Sequence, residues 1–151
     1  RETPKTMQVD PHYRDVVSEI IRELEERIET ARAAGVRDEQ IIIDPGIGFG
    51  KRYEDNLDIL HGLRSFRELG FPLLMGLSRK SFLGRAAAGP DREPLPAEKR
   101  LIPSVAANIW AVLEGAHIVR VHDVEATAHA LRVIEAVRRG SSGGADTGAE
   151  K

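Results

Sequence analysis

The sequence predicts an α/β fold, because short apolar runs alternate along the chain with stretches of helical periodicity. Three such runs occur, at residues 41–43, 72–77 and 118–121. Helical stretches separate them, and a helical crossover returns a chain to the same side of a sheet, so the three predicted strands pair in parallel. Each run ends in glycine, charged or hydroxyl residues. This is typical of strands that lead into a ligand-binding edge.

Length and composition limit the classes of function. The chain has 151 residues, of which 41% are hydrophobic and 30% charged, enough for one domain. A net charge of -2 argues against nucleic acid or membrane as a partner. The lack of cysteine excludes disulfides and thiolate metal sites, and no signal peptide or long apolar run is visible, so we expect a cytoplasmic protein. We expect residues 1–139 to form the domain and the Gly- and Ser-rich residues 140–151 to be a disordered tail.

The first two helices are predicted from apolar residues at steps of three and four. One runs from about Asp10 to Ala34 and ends at Gly35. Its predicted apolar face comprises Val17, Ile20, Ile21, Leu24, Ile28 and Ala31. The other is closed by Gly70, and its predicted apolar face comprises Leu57, Leu60 and Leu63.

Two further helices follow from the same periodicity. The third extends from about Pro96 to Glu114, with a bend expected at Pro103, which lacks a backbone N–H. Its predicted apolar face comprises Val105, Ile109, Val112 and Leu113. The last runs from about Val124 to Arg139, and its predicted buried residues are Ala128, Leu131, Ile134 and Val137.

The first strand is followed by the glycine-rich stretch Asp44-Pro-Gly-Ile-Gly-Phe-Gly-Lys51. A phosphate-binding loop would need glycine where Pro45 stands and Ser or Thr where Arg52 stands. We expect instead that the glycines bring the backbone close to a flat ligand on which Phe49 stacks, although a simple tight turn is the alternative. Asp44 could accept two parallel hydrogen bonds from a ring N–H and an adjacent amino group, or it could be a turn or helix-capping aspartate.

The second and third strands end in cations. Gly76-Leu-Ser-Arg-Lys-Ser-Phe82 places Lys80 where it could contact a ring carbonyl or nitrogen, the alternative being a solvated basic turn. Arg120 and His122 lie two residues apart on the third strand, so both side chains leave the same face and could hold a diphosphate. His122 could also be a structural histidine. We expect Asp123 to orient a neighbour or to cap the last helix.

Together, the two motifs given above and Gly115-Ala-His-Ile-Val-Arg-Val-His-Asp-Val124 resemble three successive signatures of bacterial dihydropteroate synthases. Thr3-Pro-Lys-Thr-Met-Gln8 also resembles the loop after the fifth barrel strand in that family. The resemblance implies that residues 1–139 are the carboxy-terminal part of a pterin-binding (β/α)8 barrel, holding its sixth to eighth strand–helix units.

The resemblance also implies an activity and its residues. The amine of p-aminobenzoate attacks the methylene of 6-hydroxymethyl-7,8-dihydropterin diphosphate and displaces magnesium-bound diphosphate, usually in a homodimer. Lys80, Arg120 and His122 would be the catalytic residues, with Arg120 and His122 holding the diphosphate. Those that would bind substrate are Asp44, Phe49, Gly76, Lys80, Ser81, Arg120 and His122. The Mg2+ ligand is expected in the family's amino-terminal half, and no residue of this chain is assigned to metal.

Two other readings remain open from the sequence. The chain could be a pterin-binding piece without catalytic activity, or part of a methyltransferase of the same superfamily that uses a folate methyl donor. Half a barrel leaves open sheet edges and uncovered apolar strand faces. We therefore expect the isolated chain to oligomerise or to be partly molten.

Overall fold

The computed structural model describes residues 13–140, in which helices alternate with two short parallel strands. The α-helices are α1 (Val16–Ala33), α2 (Tyr53–His61), α3 (Ser81–Ala88), α4 (Leu101–Leu113) and α5 (Val124–Arg139). The strands are β1 (Leu74–Met75) and β2 (Ile118–Val119), and 3-10 helices lie at Asp38–Gln40, Leu63–Leu69 and Ala97–Lys99. The expectations for the loop at residues 3–8 and for the tail after Gly140 lie outside the described residues.

The strands form a small parallel sheet in chain order. β1 pairs with β2 in parallel, with Leu74 opposite Ile118, and Leu73 forms a parallel bridge to Ile43. The predicted parallel pairing of the three apolar runs is therefore confirmed. The first run is shorter than predicted, because only Ile43 takes part in the ladder.

Within residues 13–140, helices cover one face of this sheet and leave the other uncovered. Ile43, Leu73 and Met75 are at most 3% exposed, since they point toward the helices. Side chains alternate along a strand, so the residues between them point to the other face. There Ile42 is 54% exposed and Ile118 is 37% exposed, which corrects the prediction that the whole first run is buried.

The core lies between the covered face and the helices, α1 included. Ile59 of α2 and Leu63 and Phe66 of the 3-10 helix are fully buried. The second helix was predicted as one unit, but it is split at Gly62, where a Cβ would lie 2.9 Å from Val17 Cγ2 of α1. Leu57, which was predicted to face the core, is 37% exposed, because the buried face is turned toward Ile59 and Leu63.

The first helix ends close to the predicted residue but begins at Val16 rather than at about Asp10, since residues 13–15 are not helical. α1 begins after Asp15, whose side chain accepts a hydrogen bond from the Ser18 N–H, as an N-cap should. It ends at Ala33, and Gly35 adopts a φ of +87°, which favours glycine.

The last two predicted helices, which are α4 and α5 of the structure, differ from their predictions in the residues that they bury. α4 begins at Leu101, so Pro103 lies in its first turn. Backbone N–H groups in the first turn have no intrahelical partner, so the proline removes no hydrogen bond from the helix. Small residues, Ala107 and Ala111, face the core, whereas Leu113 is 42% exposed. In α5 the predicted core residue Val137 is 72% exposed, because nothing in the described part of the chain covers that side. No helix among residues 13–140 is both long and apolar enough to cross a membrane.

Candidate functional site

The loop after the first strand depends on its glycines, and hydrogen bonds from α2 hold it in place. Gly46, Gly48 and Gly50 have φ values of +67°, +77° and +55°, a region that residues with a Cβ rarely adopt. Asn56 of α2, which is 3% exposed, accepts a hydrogen bond from the Gly48 N–H at 2.6 Å and donates to the Arg52 carbonyl. The tight-turn interpretation of these glycines is therefore correct, and the Gly48 N–H is not available to a phosphate.

Asp44 serves the turn with one oxygen and leaves the other open. Its Oδ1 accepts a hydrogen bond from the Gly46 N–H at 2.8 Å, which is the turn aspartate of the alternative interpretation. Its Oδ2 has no hydrogen-bond partner within residues 13–140, and the residue is exposed. A fixed carboxylate with a free oxygen can accept hydrogen bonds from a ligand edge.

Lys80 lies against the glycine loop. Its Nζ is 3.7 Å from the centre of the Phe49 ring, and a Cβ placed on Gly48 would lie 2.8 Å from its Cδ. Burial lowers the pKa of Lys80, the charge of Arg120 lowers it further, and Asp44 acts in the opposite direction. Lys80 is therefore not the freely solvated cation of a basic turn. These contacts place it near both Asp44 and Arg120.

Arg120 lies over Gly76 and is not paired with an acid. A Cβ placed on Gly76 would lie 2.8 Å from Arg120 Nη2, so only glycine leaves room for the guanidinium here. Arg120 is exposed, and it forms no salt bridge with a carboxylate in the part of the chain that the structure describes. Two cations thus lie near each other with little compensating charge, an arrangement that favours an anionic ligand.

His122 is held from the neighbouring strand end. The hydroxyl of Ser78, 8% exposed, accepts the His122 backbone N–H at 3.2 Å and lies 3.0 Å from the ring Nδ1. If the serine proton is donated to Nδ1, a neutral ring carries its own proton on Nε2. One ring nitrogen of His122 is therefore held within the fold, by the Ser78 hydroxyl rather than by a backbone carbonyl, and Nε2 has no hydrogen-bond partner within residues 13–140.

An ion pair joins the same two strand ends. Arg79 forms a bidentate pair with Asp123, at 2.8 Å and 3.2 Å. Asp123 therefore orients a neighbour, as expected, and its side chain does not cap α5. Ser81, the first residue of α3, is exposed near Lys80.

The sequence did not single out three residues that brace the site. Asn56, Ser78 and Ser104 are each at most 8% exposed, and each binds the backbone of a loop beside the site. Their signal was a polar residue at a position that packs inward, because such a group must find a hydrogen-bond partner.

The described residues surround the site only in part. A hollow of about 290 Å³ lies between α1 and the glycine loop and reaches Asp44 and Phe49, but Lys80 and Arg120 do not line it. Those two cations lie toward the open face of the sheet. Within residues 13–140, no cluster of three or more His, Cys, Asp or Glu residues could hold a metal ion.

Comparison with known proteins identifies relatives of this chain. The profile of a family described as pterin binding enzyme matches residues 1–122. The dihydropteroate synthase of Escherichia coli strain K12 is 43% identical over 134 residues, which are 88% of this chain and 45% of the relative. The chain thus spans about half the length of the curated relatives it matches.

Solved structures give the same result for the fold. Dihydropteroate synthase from Xanthomonas albilineans in complex with 7,8-dihydropteroate matches with a TM-score of 0.80 and 47% identity, covering 86% of this chain and 48% of that one. The Yersinia pestis dihydropteroate synthase with a sulfonamide drug matches with a TM-score of 0.85 and 38% identity, covering 93% and 49%. The predicted fold class is confirmed as part of a (β/α)8 barrel. The open sheet face is then the side that lines the barrel interior.

Proposed function

Because this chain belongs to the family of pterin-binding enzymes, we propose that it supplies the carboxy-terminal substrate sites of a dihydropteroate synthase. The whole protein would join p-aminobenzoate to 6-hydroxymethyl-7,8-dihydropterin diphosphate in folate biosynthesis. The amine nitrogen forms a bond to the exocyclic methylene carbon, the carbon–oxygen bond to diphosphate breaks, and the amine loses one proton. Residues 1–139 would form this part of the barrel, followed by a tail.

The main support is that two cations, Lys80 and Arg120, lie near each other. The charge of Arg120 lowers the pKa of Lys80, so the two like charges repel each other in the absence of ligand. An incoming diphosphate relieves this repulsion, and it gains negative charge as it leaves the pterin. Arg120 would therefore bind the leaving group more strongly in the transition state than before it, while Lys80 beside it would contact the pterin and border the p-aminobenzoate site.

The other residues divide between the two substrates. The free oxygen of Asp44 would accept the amino and ring N–H edge of the pterin, and Phe49 would flank its ring. His122 would act with Arg120 on the diphosphate. Ser81, at the amino end of α3, would approach the p-aminobenzoate carboxylate. Rate enhancement would come from positioning and leaving-group stabilisation, with no protein nucleophile.

Magnesium would enter with the diphosphate. The described site offers one carboxylate and several cations, a set that does not fit a metal site of its own. The ion would neutralise charge on the departing diphosphate, and its protein ligand would come from the other half of the barrel.

We also propose that the intact protein is a cytoplasmic homodimer. Its dimer interface would use α4 and α5, whose outer sides carry exposed apolar residues. These include Ile102 at 79%, Val133 at 61% and Val137 at 72% exposure. Analytical ultracentrifugation and cell fractionation of the intact protein test these two points.

The activity test uses the intact protein. We expect diphosphate release that depends on both p-aminobenzoate and the pterin diphosphate, and we expect Lys80→Ala to abolish it while Lys99→Ala leaves it unchanged. Pterin binding without diphosphate release would support the non-catalytic alternative. Methyl transfer from a methylated folate, without use of p-aminobenzoate, would support the methyltransferase.

A further inference from the structure

Arg79 has an unusual backbone conformation between two candidate site residues. Its φ is +59°, and within residues 13–140 it is the only non-glycine residue with a positive φ. Residues with a side chain rarely adopt this conformation, so it persists only where the surroundings impose it. Arg79 directly follows Ser78, which contacts His122, and directly precedes Lys80.

Both the backbone and the guanidinium of Arg79 are held by hydrogen bonds. Its N–H donates to Ser104 Oγ at 2.8 Å, and its carbonyl accepts from Arg100 Nη1 at 3.0 Å. Its guanidinium forms the bidentate pair with Asp123 described above. Helix α4 and its cap therefore fix the backbone of this residue, and the loop after β2 fixes its side chain.

Two adjacent contacts join the two strand ends. Ser78 binds His122, and Arg79 binds Asp123, so the residue pairs are offset by one position on each loop. The Arg79 and Asp123 side chains are 39% and 24% exposed, so the pair is only partly open to solvent. A bidentate Arg–carboxylate pair also fixes the angle between its partners, which a single contact does not.

We propose that the Arg79–Asp123 pair is a positioning device that sets the distance between Lys80 on one loop and Arg120 and His122 on the other. The inference rests on the proposed function, since that spacing matters where one cation serves the joined substrates and the others serve the leaving diphosphate. Arg79 and Asp123 act through these neighbours. Loss of the pair lets the two loops separate while the glycine loop, with Asp44 and Phe49, stays in place.

The test measures steady-state kinetics of the intact protein with Arg79→Gly and Asp123→Asn. Glycine tolerates the positive φ, so Arg79→Gly removes the side chain without backbone strain. We expect kcat to fall roughly ten- to a hundredfold, because small displacements of reacting groups are costly, while affinity for a pterin that carries no diphosphate changes by less than about threefold, since the glycine loop stays in place. The double exchange Arg79→Asp with Asp123→Arg restores the ion pair and should recover much of the loss.

The matched control is the bidentate pair of Arg32 with Asp38, which joins the last turn of α1 to the 3-10 helix at Asp38–Gln40. Arg32→Ala should leave kcat and KM unchanged. Thermal unfolding of each variant shows that it is folded. A fall in stability with unchanged kcat, or no recovery in the double exchange, overturns the proposal.

Binding of inorganic diphosphate, measured by calorimetry, separates this inference from the proposed function. If the wild-type protein binds no diphosphate, the proposed function fails. If the wild type binds it and Arg79→Gly binds equally well, the positioning role fails and the proposed function stands. We expect roughly tenfold weaker binding in the variant.

Discussion

Gly76 lies directly beneath the guanidinium of Arg120, and the 2.8 Å between a Cβ placed there and Nη2 is too short for any side chain. We predict that Gly76→Ala displaces Arg120 and weakens binding of inorganic diphosphate about tenfold, in line with the loss of one charge-assisted contact. Stability should change by less than about 1 kcal/mol, because the obstructing atom is the end of a flexible side chain. Calorimetry and thermal unfolding of the intact protein measure both.

The control for this prediction is an Arg120→Met background. If Gly76 acts only by leaving room for the guanidinium, Gly76→Ala has no further effect once that group is gone. Equal weakening in both backgrounds would show that the glycine matters for another reason.

The Asp44→Asn substitution tests the role of Asp44 in pterin binding separately from its role in the turn. The amide oxygen of asparagine can still accept the Gly46 N–H, so we expect the unfolding temperature to stay within a few degrees. The charge and one acceptor are lost, so pterin affinity should fall roughly ten- to a hundredfold, as for a charge-assisted hydrogen bond. Asp58→Asn, at an exposed position of α2, is the control. Unchanged pterin affinity by calorimetry would remove Asp44 from the site.

Lys80 should reduce stability at neutral pH. Burial and Arg120 lower its pKa in the folded chain, so the charged form is disfavoured there relative to the unfolded chain. This cost is present below the folded pKa and disappears as the pH rises toward the ordinary lysine value of about 10.4. We therefore predict that Lys80→Met abolishes activity but raises the unfolding temperature at pH about 7, and that the gain shrinks near pH 10.5.

Thermal unfolding of the intact protein at both pH values measures this effect. Lys99→Met, on an exposed turn, provides the control and should leave stability within about 0.5 kcal/mol. Added diphosphate should stabilise the wild type more than Lys80→Met, because an anion bound at Arg120 lowers the cost of the lysine charge nearby. A Lys80→Met variant less stable than wild type at neutral pH would contradict the argument.

Asn56 should matter for both stability and the site. Asn56→Ala removes an acceptor from the Gly48 N–H and a donor from the Arg52 carbonyl, in a position that is 3% exposed. Leaving such groups unpaired costs about 1–3 kcal/mol, and the glycine loop that carries Phe49 is loosened. We expect a lower midpoint in urea unfolding and a raised KM for the pterin diphosphate. Leu57→Ala, at the exposed neighbouring position, should change neither by much.

Sequence patterns predicted the parallel strands and the meeting of their ends because both follow from local rules. A short apolar run that stops at a charged or glycine residue identifies a strand end without knowledge of what packs against it. Asp44 and Lys80 follow such runs and Arg120 lies near the end of the third, and the charges of Asp44 and Arg120 both act on Lys80, although only Asp44 reaches the hollow beside α1.

Helix faces were harder to predict, because hydrophobicity does not say which of two apolar faces packs inward. In α4 the large residues Ile102 and Leu113 are exposed, while Ala107 and Ala111 lie against the core, where small side chains allow close approach. α3 was missed, since it has only 8 residues and begins inside a motif that was interpreted as the loop after a strand. The Arg79–Asp123 pair joins residues 44 apart, and no local pattern predicts such a contact.

The uncovered sheet face predicts the behaviour of the 151-residue chain in isolation. Ile42 and Ile118 lie on that face at 54% and 37% exposure, beside unpaired strand edges. Without the remaining barrel strands, this apolar surface should drive self-association, so light scattering should give a molar mass that rises with concentration.

The double variant Ile42→Ser with Ile118→Ser should shift the chain toward monomer. Ile102→Ser with Val137→Ser tests the outer face of α4 and α5 instead. If only the second pair reduces association, the helices rather than the open sheet bring the copies together, and a concentration-independent monomer in the wild-type chain excludes both surfaces.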